Sequence, residues 1–426
     1  MMWVVIGFAL LALMYVLLTL EVVHRTVVAL LVAGTVFALN AALRFTTFND
    51  LLAGVDLNAI LLIMGMMIIV AVLSRTGFFE YVSHTLLTKM RGSPILLIGS
   101  ISALTALISA FIDNVTTVLL VAPIVIELCR ELRVDPRPVL LATVFASNIG
   151  GTATLIGDPP NIIIGSAAGL GFMDFVRHLT PIAVIDTALL VAMCPIIFRS
   201  WFREYRAQGV REVVLSRVEV NRPLFRRVGI VLATVIGLFL LEDFLRYPPS
   251  VPAIIGAAIT LVLARRWVSL EDVVRFVDWP TLVFFVFMFI AIRGIERLGV
   301  MDVMARSVTY IAPFKGAAMV AIVWISAILS AFVDNIPFVM AMIPVVQKVS
   351  VSIGCDPMPI YWALALGGCL GGNGTLVGAS ANIVVAGIAE KHGYEIRFRE
   401  FMKYGMPVMI ATVGAATLYL VLRYGV

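Results

Sequence analysis

The chain has 426 residues, of which 61% are hydrophobic and only 13% charged, and its mean hydropathy is +1.06. Soluble domains are near half apolar and a quarter charged, so this composition excludes a soluble enzyme, a disordered chain and a nucleic-acid-binding protein. It predicts an all-α polytopic membrane protein in a lipid bilayer. The net charge of +5 is modest, and the placement of Lys and Arg in the loops therefore matters more than their sum.

Apolar runs of about 20 residues, the length that crosses a bilayer, follow one another along the chain. The first run, residues 2–20, lacks the basic start and the cleavage site of a signal peptide, so we interpret it as a membrane helix. Further unbroken spans are predicted near 26–43, 57–74, 180–199, 225–245, 248–264, 279–296 and 405–422.

Four longer apolar stretches are interrupted. Glycines break the stretches 138–168 and 359–389, which predicts broken helices at the bilayer midplane. An Asp-Asn pair interrupts 94–128 and 314–347. Because an unbroken helix of that length would overshoot the bilayer, we predict two re-entrant hairpins, each made of two half-length helices.

The chain repeats itself at an offset of 221 residues. SAFIDNVTTVLLVAPIV at 109–125 matches SAFVDNIPFVMAMIPVV at 330–346, and GGTATLIGDPPN at 150–161 matches GGNGTLVGASAN at 371–382. Farther upstream the offset becomes 222, which pairs Asp56 with Asp278. Each half then holds five crossings and one hairpin, about ten spans and two hairpins in all. Because five is odd, we predict that the two halves are inverted repeats.

Loop charges predict the orientation in the membrane. If both termini are extracytoplasmic and the linker at 199–227 is cytoplasmic, the inner loops carry 22 of the 31 Lys and Arg residues. Cytoplasmic loops are enriched in these residues, so we predict this multi-pass topology in the cell (inner) membrane. The stretches 75–91 and 297–312 mix aliphatic, aromatic and charged residues, and we expect them to lie along the membrane surface as connecting arms.

Polar residues mark the two predicted hairpin tips. Asp113 and Asn114 lie at the first tip, with Thr116 just beyond, and Asp334 and Asn335 lie at the second. A charged residue at membrane depth costs about 2.5–3.5 kcal/mol on insertion scales and is a functional candidate by default. Each carboxylate could also cap the helix that follows it, and a cap can contribute to a binding site.

The glycine-rich breaks are the second candidate element. Clustered glycines and a Pro-Pro pair do not continue a helix easily, and unwound backbone at membrane depth is tolerated where it is buried in protein or lines a cavity. The candidate substrate or ion ligands are Gly150, Gly151, Thr152, Thr154, Asp158 and Asn161 in the first break and Gly371, Gly372, Asn373, Thr375 and Asn382 in the second. A close-packing glycine motif or a kink is the structural alternative.

Three carboxylates, Asp113, Asp158 and Asp334, are expected to approach one another near the centre of the molecule. An apolar setting favours the neutral form of a carboxylic acid, so these residues are the candidates for proton coupling. Neither tip and neither break contains Lys or Arg, and we therefore expect a site without fixed positive charge. Asp186, in the span 180–199, is a further candidate that the repeat does not support, because its counterpart is Pro407.

No metal site and no cofactor are predicted. The cysteines have no metal-ligand spacing, so we interpret them as free thiols, and the four histidines lie far apart. No nucleophile–base pair is visible, which argues against an enzyme. The cysteines are Cys129, Cys194, Cys355 and Cys369.

In the motifs quoted above, and in EVVHRTVVALL near the start, the chain resembles the ion transporter superfamily, in the CitMHS-like branch that holds the ArsB/NhaD permeases and the pink-eyed dilution P protein. The resemblance covers nearly the whole chain and implies a homodimeric elevator transporter. It places a scaffold and dimerisation domain at 1–90 and 222–310, a transport domain at 91–200 and 311–426, and a cytoplasmic linker at 201–221. In the sodium-coupled dicarboxylate relatives the tips carry Ser-Asn-Thr, and the aspartates found here favour protons or a non-carboxylate substrate.

The sequence thus predicts a proton-coupled secondary transporter, with efflux of arsenite or antimonite as the leading function. Neutral arsenous acid suits hydroxyls, amides and titratable carboxylates without a fixed positive charge. A sodium/proton antiporter and a transporter of small organic anions (di- or tricarboxylates) are the alternatives, and a passive anion channel is the alternative from another class. A cytoplasmic ATPase, as some arsenite permeases are thought to recruit, would be a further partner.

Overall fold

The computed structural model describes residues 2–20, 23–79, 81–82, 93–207, 220–245 and 247–425. Every regular element in these ranges is a helix. The first half forms α1 (Met2–Leu20), α2 (Arg25–Leu43), α3 (Phe48–Ala53), α4 (Leu57–Ser74), α5 (Pro94–Ser109), α6 (Asn114–Glu131), α7 (Arg137–Gly151), α8 (Pro159–Ala168), α9 (Phe172–His178), α10 (Thr180–Ile197) and α11 (Arg199–Ala207). The second half forms α12 (Arg222–Leu240), α13 (Glu242–Leu245), α14 (Ser250–Ala264), α15 (Leu270–Phe276), α16 (Trp279–Arg297), α17 (Val300–Ile311), α18 (Lys315–Ser330), α19 (Asn335–Ile353), α20 (Met358–Gly371), α21 (Ser380–Lys391) and α22 (Phe398–Tyr424).

Eight helices in the described part of the chain are long and apolar enough to cross a membrane, which confirms the polytopic fold class. Seven of them (α1, α2, α4, α10, α12, α16 and α22) match predicted unbroken spans. The eighth, α19, is the second arm of the second predicted hairpin. The span predicted at 248–264 is realised as α14, which has 15 residues. At 1.5 Å per residue it is about 22 Å long, shorter than a bilayer core of about 30 Å.

Both interrupted stretches around the Asp-Asn pairs form two helices joined by a short turn. The arms α5 and α18 have 16 residues each, whereas α6 has 18 and α19 has 19. The arms are therefore longer than half of a bilayer span, and each second arm continues beyond the predicted stretch, to Glu131 and Ile353. A helix of 19 residues is about 28 Å long, close to the thickness of the bilayer core.

The two glycine-rich stretches are broken helices, as predicted. The first break separates α7 from α8 and the second separates α20 from α21. Around them, α5 packs along α7 and α18 packs along α20, while α4 packs against α14 and α2 against α16. The assignment of these groups to a scaffold and a transport domain, and the inversion of one half relative to the other, stay predictions.

The connecting segments are described in part. The second predicted arm contains α17, whose axis bends by 119° relative to α18. Of the first arm, residue 80 and residues 83–91 lie outside the described residues. The predicted linker begins with α11, and residues 208–219 likewise lie outside the described residues.

Candidate transport site

Each tip carboxylate caps the helix that follows it. Oδ1 of Asp113 accepts a hydrogen bond of 2.9 Å from the backbone N–H of Thr116, and Oδ1 of Asp334 accepts one of 3.2 Å from the N–H of Ile336. The capping role considered from the sequence is therefore real at both tips. Each cap uses one carboxylate oxygen and leaves the second one for other partners.

Most polar side chains of the breaks hold the unwound backbone in place. The hydroxyl of Thr154 donates to the carbonyl of Ala110, at the end of the hairpin arm α5. The side-chain amide of Asn161 donates to the carbonyls of Gly151 (3.1 Å) and Thr154 (2.9 Å). The second half makes the same bonds 221 residues later, from Thr375 to Ala331 and from Asn382 to Gly372 and Thr375.

The glycines before each break allow two helix backbones to touch. A Cβ atom on Gly150 would lie 2.2 Å from the carbonyl oxygen of Ala106, and one on Gly371 would lie 2.5 Å from that of Ala327. Both distances are far below van der Waals contact, so α7 and α20 can lie this close to α5 and α18 only because they carry glycine. These two glycines therefore fit the structural alternative stated above, a glycine motif for close helix packing.

A buried network of amides connects the two halves. The side-chain amide of Asn148, which is 1% exposed, donates to Oδ1 of Asn373 (2.9 Å) and Oδ1 of Asn382 (3.1 Å). Its own Oδ1 accepts from the amide of Asn114 (3.2 Å) at the first tip. The residue 221 positions later is Cys369, whose thiol makes a long contact of 3.8 Å with Oδ1 of Asn161 and also interacts with the carboxylate of Asp158.

A cavity of about 340 Å³ lies between the tips, the first break and the helices α2, α4, α15 and α16. One wall is apolar and comes from α4. The rest of the lining mixes polar and apolar side chains. Five of the residues predicted for the site line the cavity: Asp113, Asn114, Thr116, Asp158 and Asn335.

The other predicted site residues do not line this cavity. Asp334 lies directly behind it, bonded to Ser380, which does line it. The remainder support the breaks or lie within them: Gly150, Gly151, Thr152, Thr154, Asn161, Gly371, Gly372, Asn373, Thr375 and Asn382.

Asp158 joins the first break to the second hairpin tip. Its side chain is 1% exposed, and Oδ2 accepts a hydrogen bond of 3.3 Å from the amide of Asn335. Its Oδ1 has no hydrogen-bond partner among the residues that the structure describes. Asp158 also interacts electrostatically with Asp113 and with Asp334.

The expectation of a site without fixed positive charge was wrong. Arg25, at the start of α2, extends its guanidinium into the cavity and donates to Oδ2 of Asp334 over 3.2 Å and to the hydroxyl of Ser380. On its other side it donates to the hydroxyl of Thr281 over 2.8 Å and lies 3.8 Å from Oδ2 of Asp278. The tips and breaks lack Lys and Arg, but a helix distant in sequence supplies the charge.

Four residues of this region were missed from the sequence. Arg25 lies within the quoted motif EVVHRTVVALL without a predicted role, and Asp278 enters only as a marker of the repeat. Ser380 lies within a quoted motif but is not singled out, and Asn148 lies in a helix that supplies no predicted site residue before its terminal glycines. The pairing of Asp278 with Asp56 was the one available hint, because both aspartates cap membrane helices.

The remaining candidates lie away from the cavity. Asp186 is fully buried within α10, and neither of its carboxylate oxygens has a hydrogen-bond partner among the described residues. It does not line the cavity. The cysteines are free thiols, and no group of three metal-binding side chains occurs in the part of the chain that the structure describes.

Comparison with known proteins identifies the family. The profile of the CitMHS family, described as "Citrate transporter", matches residues 15–367. The chain is 40% identical over 419 residues to the uncharacterized transporter Rv2684 of Mycobacterium tuberculosis, with 96% of each chain covered. It is 34% identical over 510 aligned residues to the P protein of Homo sapiens, with 99% of this chain and 60% of that protein covered.

A solved structure shares the fold. The YdaH transporter of Alcanivorax borkumensis, whose crystal structure is described as having an unusual topology, matches with a TM-score of 0.65 at 14% identity, over 95% of this chain and 98% of that one. The chain is therefore a membrane transporter of the CitMHS citrate transporter family, and it is not an enzyme.

Proposed function

We propose that the chain is a proton-coupled secondary transporter of a small organic anion. The observation that carries this proposal is the cavity that Arg25 lines together with the carboxylates Asp113 and Asp158. The guanidinium suits a carboxylate solute, since it offers planar paired donors for one. The description of the family as citrate transporters supports the same class of solute.

The carboxylates are the proposed proton carriers. Asp113, Asp158 and Asp334 lie where helices are interrupted, the usual location of coupling-ion sites in secondary transporters. In the proposed cycle the unit at 91–200 and 311–426 moves as an elevator against the scaffold at 1–90 and 222–310, and two chains associate through the scaffold. The cavity has walls from both units, which is what alternating access between them requires.

Arsenite and antimonite no longer lead the candidates. These solutes were favoured because the site was expected to carry no fixed positive charge, and Arg25 supplies one. No observation in the described structure favours an arsenic or antimony solute, and the suggested ATPase partner depends on that solute. Both ions remain useful as negative controls in the solute panel below.

Sodium/proton antiport is the second candidate function. Three carboxylates (Asp113, Asp158 and Asp278) and two guanidinium groups (Arg25 and Arg275) are among the described residues that line the cavity. The lining thus has an excess of acidic groups, and the unpartnered Oδ1 of Asp158 is a free oxygen ligand for a cation. Hard cations such as sodium bind to oxygen ligands of this kind.

Uptake into proteoliposomes distinguishes these functions. We expect an imposed proton gradient to drive accumulation of radiolabelled citrate or succinate by the wild type, and no accumulation of arsenite. Proton-driven sodium exchange without carboxylate uptake would instead support the antiporter. Counterflow separates any transporter from a passive anion channel, because a channel does not couple opposing fluxes.

Asparagine variants test the proton carriers. Asn retains the capping oxygen of Asp113 and Asp334 but cannot ionise, so both variants should fold. We expect Asp113→Asn and Asp334→Asn each to abolish the dependence of transport on the proton gradient. Unchanged pH dependence in both variants would remove these residues from the coupling role.

A further inference from the structure

The guanidinium of Arg25 is shared between two carboxylates on different parts of the fold. Nη1 donates to Oδ2 of Asp334 at the second tip, over 3.2 Å, and to Ser380. Nη2 donates to Thr281 over 2.8 Å and faces Oδ2 of Asp278 at 3.8 Å. Asp334 and Ser380 belong to the predicted transport unit. Thr281 and Asp278 belong to the predicted scaffold, as does Arg25 itself.

The two carboxylates differ in how they contact the guanidinium. Both oxygens of Asp278 are engaged by Thr281, through its backbone N–H (3.2 Å) and its hydroxyl, and Oδ2 lies 3.8 Å from Arg25. Among the described residues, Oδ1 of Asp334 accepts the capping N–H, and its Oδ2 accepts Arg25 directly and Ser380, the latter over 2.9 Å. Asp334 is therefore the carboxylate that an anionic ligand would have to displace from the guanidinium.

We propose that Arg25 is the residue that binds the carboxylate group of the solute, and that the solute and the ionised Asp334 compete for its guanidinium. This inference rests on the proposed function and adds the coupling step to it. A protonated Asp334 carries no charge with which to hold Arg25, so one face of the guanidinium becomes free for the anion. The anion then binds together with a proton on Asp334, and the two move in the same direction.

Other charged groups lie near this pair. They are Asp278 before α16, Arg275 on α15, Asp113 at the first tip and Asp158 in the first break, and His24 precedes Arg25 on the chain. A pH profile of the wild type alone therefore does not single out Asp334. Variants of Arg25 and of Asp334 are therefore needed to isolate its contribution.

The test measures the affinity of the purified full-length protein for citrate and for succinate by calorimetry, at acidic and at neutral pH. We expect Arg25→Gln to lose at least about tenfold in affinity at both pH values, the effect of losing roughly 1.4 kcal/mol. Arg25→Lys should recover only part of this, because an ammonium lacks the planar fork of donors. Asp334→Asn should bind more tightly than the wild type at neutral pH, and its affinity should depend less on pH than that of the wild type.

Two matched substitutions serve as controls. Asp56→Asn changes the same residue type in the same capping role, at α4 and outside the lining of the cavity. Arg266→Gln removes an exposed arginine. Both should bind the carboxylates as the wild type does, with the wild-type pH dependence.

The competition model is overturned if Arg25→Gln binds with wild-type affinity, or if Asp334→Asn keeps the pH dependence of the wild type. If Arg25→Gln fails to fold, the Lys and Asp334→Asn variants still decide between the outcomes. Wild-type carboxylate transport together with an unaffected Arg25→Gln refutes this inference alone. Absence of carboxylate binding and transport by the wild type refutes the proposed function and this inference with it.

Discussion

Removing the side-chain amide of Asn148 should destabilise the contact between the two halves. Asn148→Ala deletes three hydrogen bonds, to Asn114, Asn373 and Asn382. Side-chain hydrogen bonds between membrane helices contribute about 0.6 kcal/mol each on average, which gives roughly 2 kcal/mol for three. Asn373 would be left buried with neither its oxygen nor its nitrogen paired among the described residues, which adds about 1–3 kcal/mol.

The repeat offers a matched control for this variant. Cys369 occupies the position 221 residues after Asn148, and its thiol makes a long contact of 3.8 Å with Asn161 and a further contact with Asp158. Thiols are weak hydrogen-bond donors, so Cys369→Ala should cost less than about 1.5 kcal/mol in lost packing. Asn148→Cys would give the first half the cysteine that the second half carries at the equivalent position. This variant should be nearly as unstable as Asn148→Ala.

Equilibrium unfolding in mixed micelles with increasing SDS measures these differences. We expect a loss of roughly 3–5 kcal/mol in the free energy of unfolding for Asn148→Ala. Equal losses for Asn148→Ala and Cys369→Ala would show that the amide network carries no special share of the stability. That result would refute the view of Asn148 as the joint between the halves.

Three further predictions concern packing, charge and orientation. Gly150→Ala should cost about 3 kcal/mol or more and lower the yield of folded protein in size-exclusion chromatography, because the new Cβ meets a backbone carbonyl, whereas Gly237→Ala, with open space around it, should not. The guanidinium of Arg297 holds the pKa of Asp50 below its ordinary value, so the thermal stability that Asp50→Asn removes should be present near neutral pH and should vanish as acidification protonates Asp50. A membrane-impermeant maleimide should label Arg203→Cys, at an exposed position of α11, only from the cytoplasmic side, and labelling of intact cells would contradict the predicted topology.

The sequence was a good guide wherever a local pattern carried the information. The tips and breaks were recognisable because Asp113 recurs as Asp334 and Gly150 as Gly371, in constant register through polar residues. Those residues end helices, cap them or allow backbones to touch, and each of these effects is decided by neighbours a few positions away. The positions of the breaks could therefore be predicted before the fold was known.

The chemistry of the cavity depended on contacts between distant residues. Arg25 and Asp334 are 309 positions apart, and no local pattern links them. The hydroxyls of Thr154 and Thr375 looked like ligands from the sequence, yet both donate to backbone carbonyls. Which of several similar polar groups faces a cavity is set by tertiary packing, and one sequence does not contain that information in readable form.

The most direct test of proton-coupled anion transport uses the solute gradient to move protons. Proteoliposomes containing a pH-sensitive dye and no imposed pH gradient receive citrate or succinate on the outside, with the membrane potential clamped. The account predicts acidification of the lumen by the wild type, and none by Asp334→Asn at the same rate of anion uptake. Lumenal pH that responds to sodium but to neither carboxylate would contradict the account and establish the antiporter in its place.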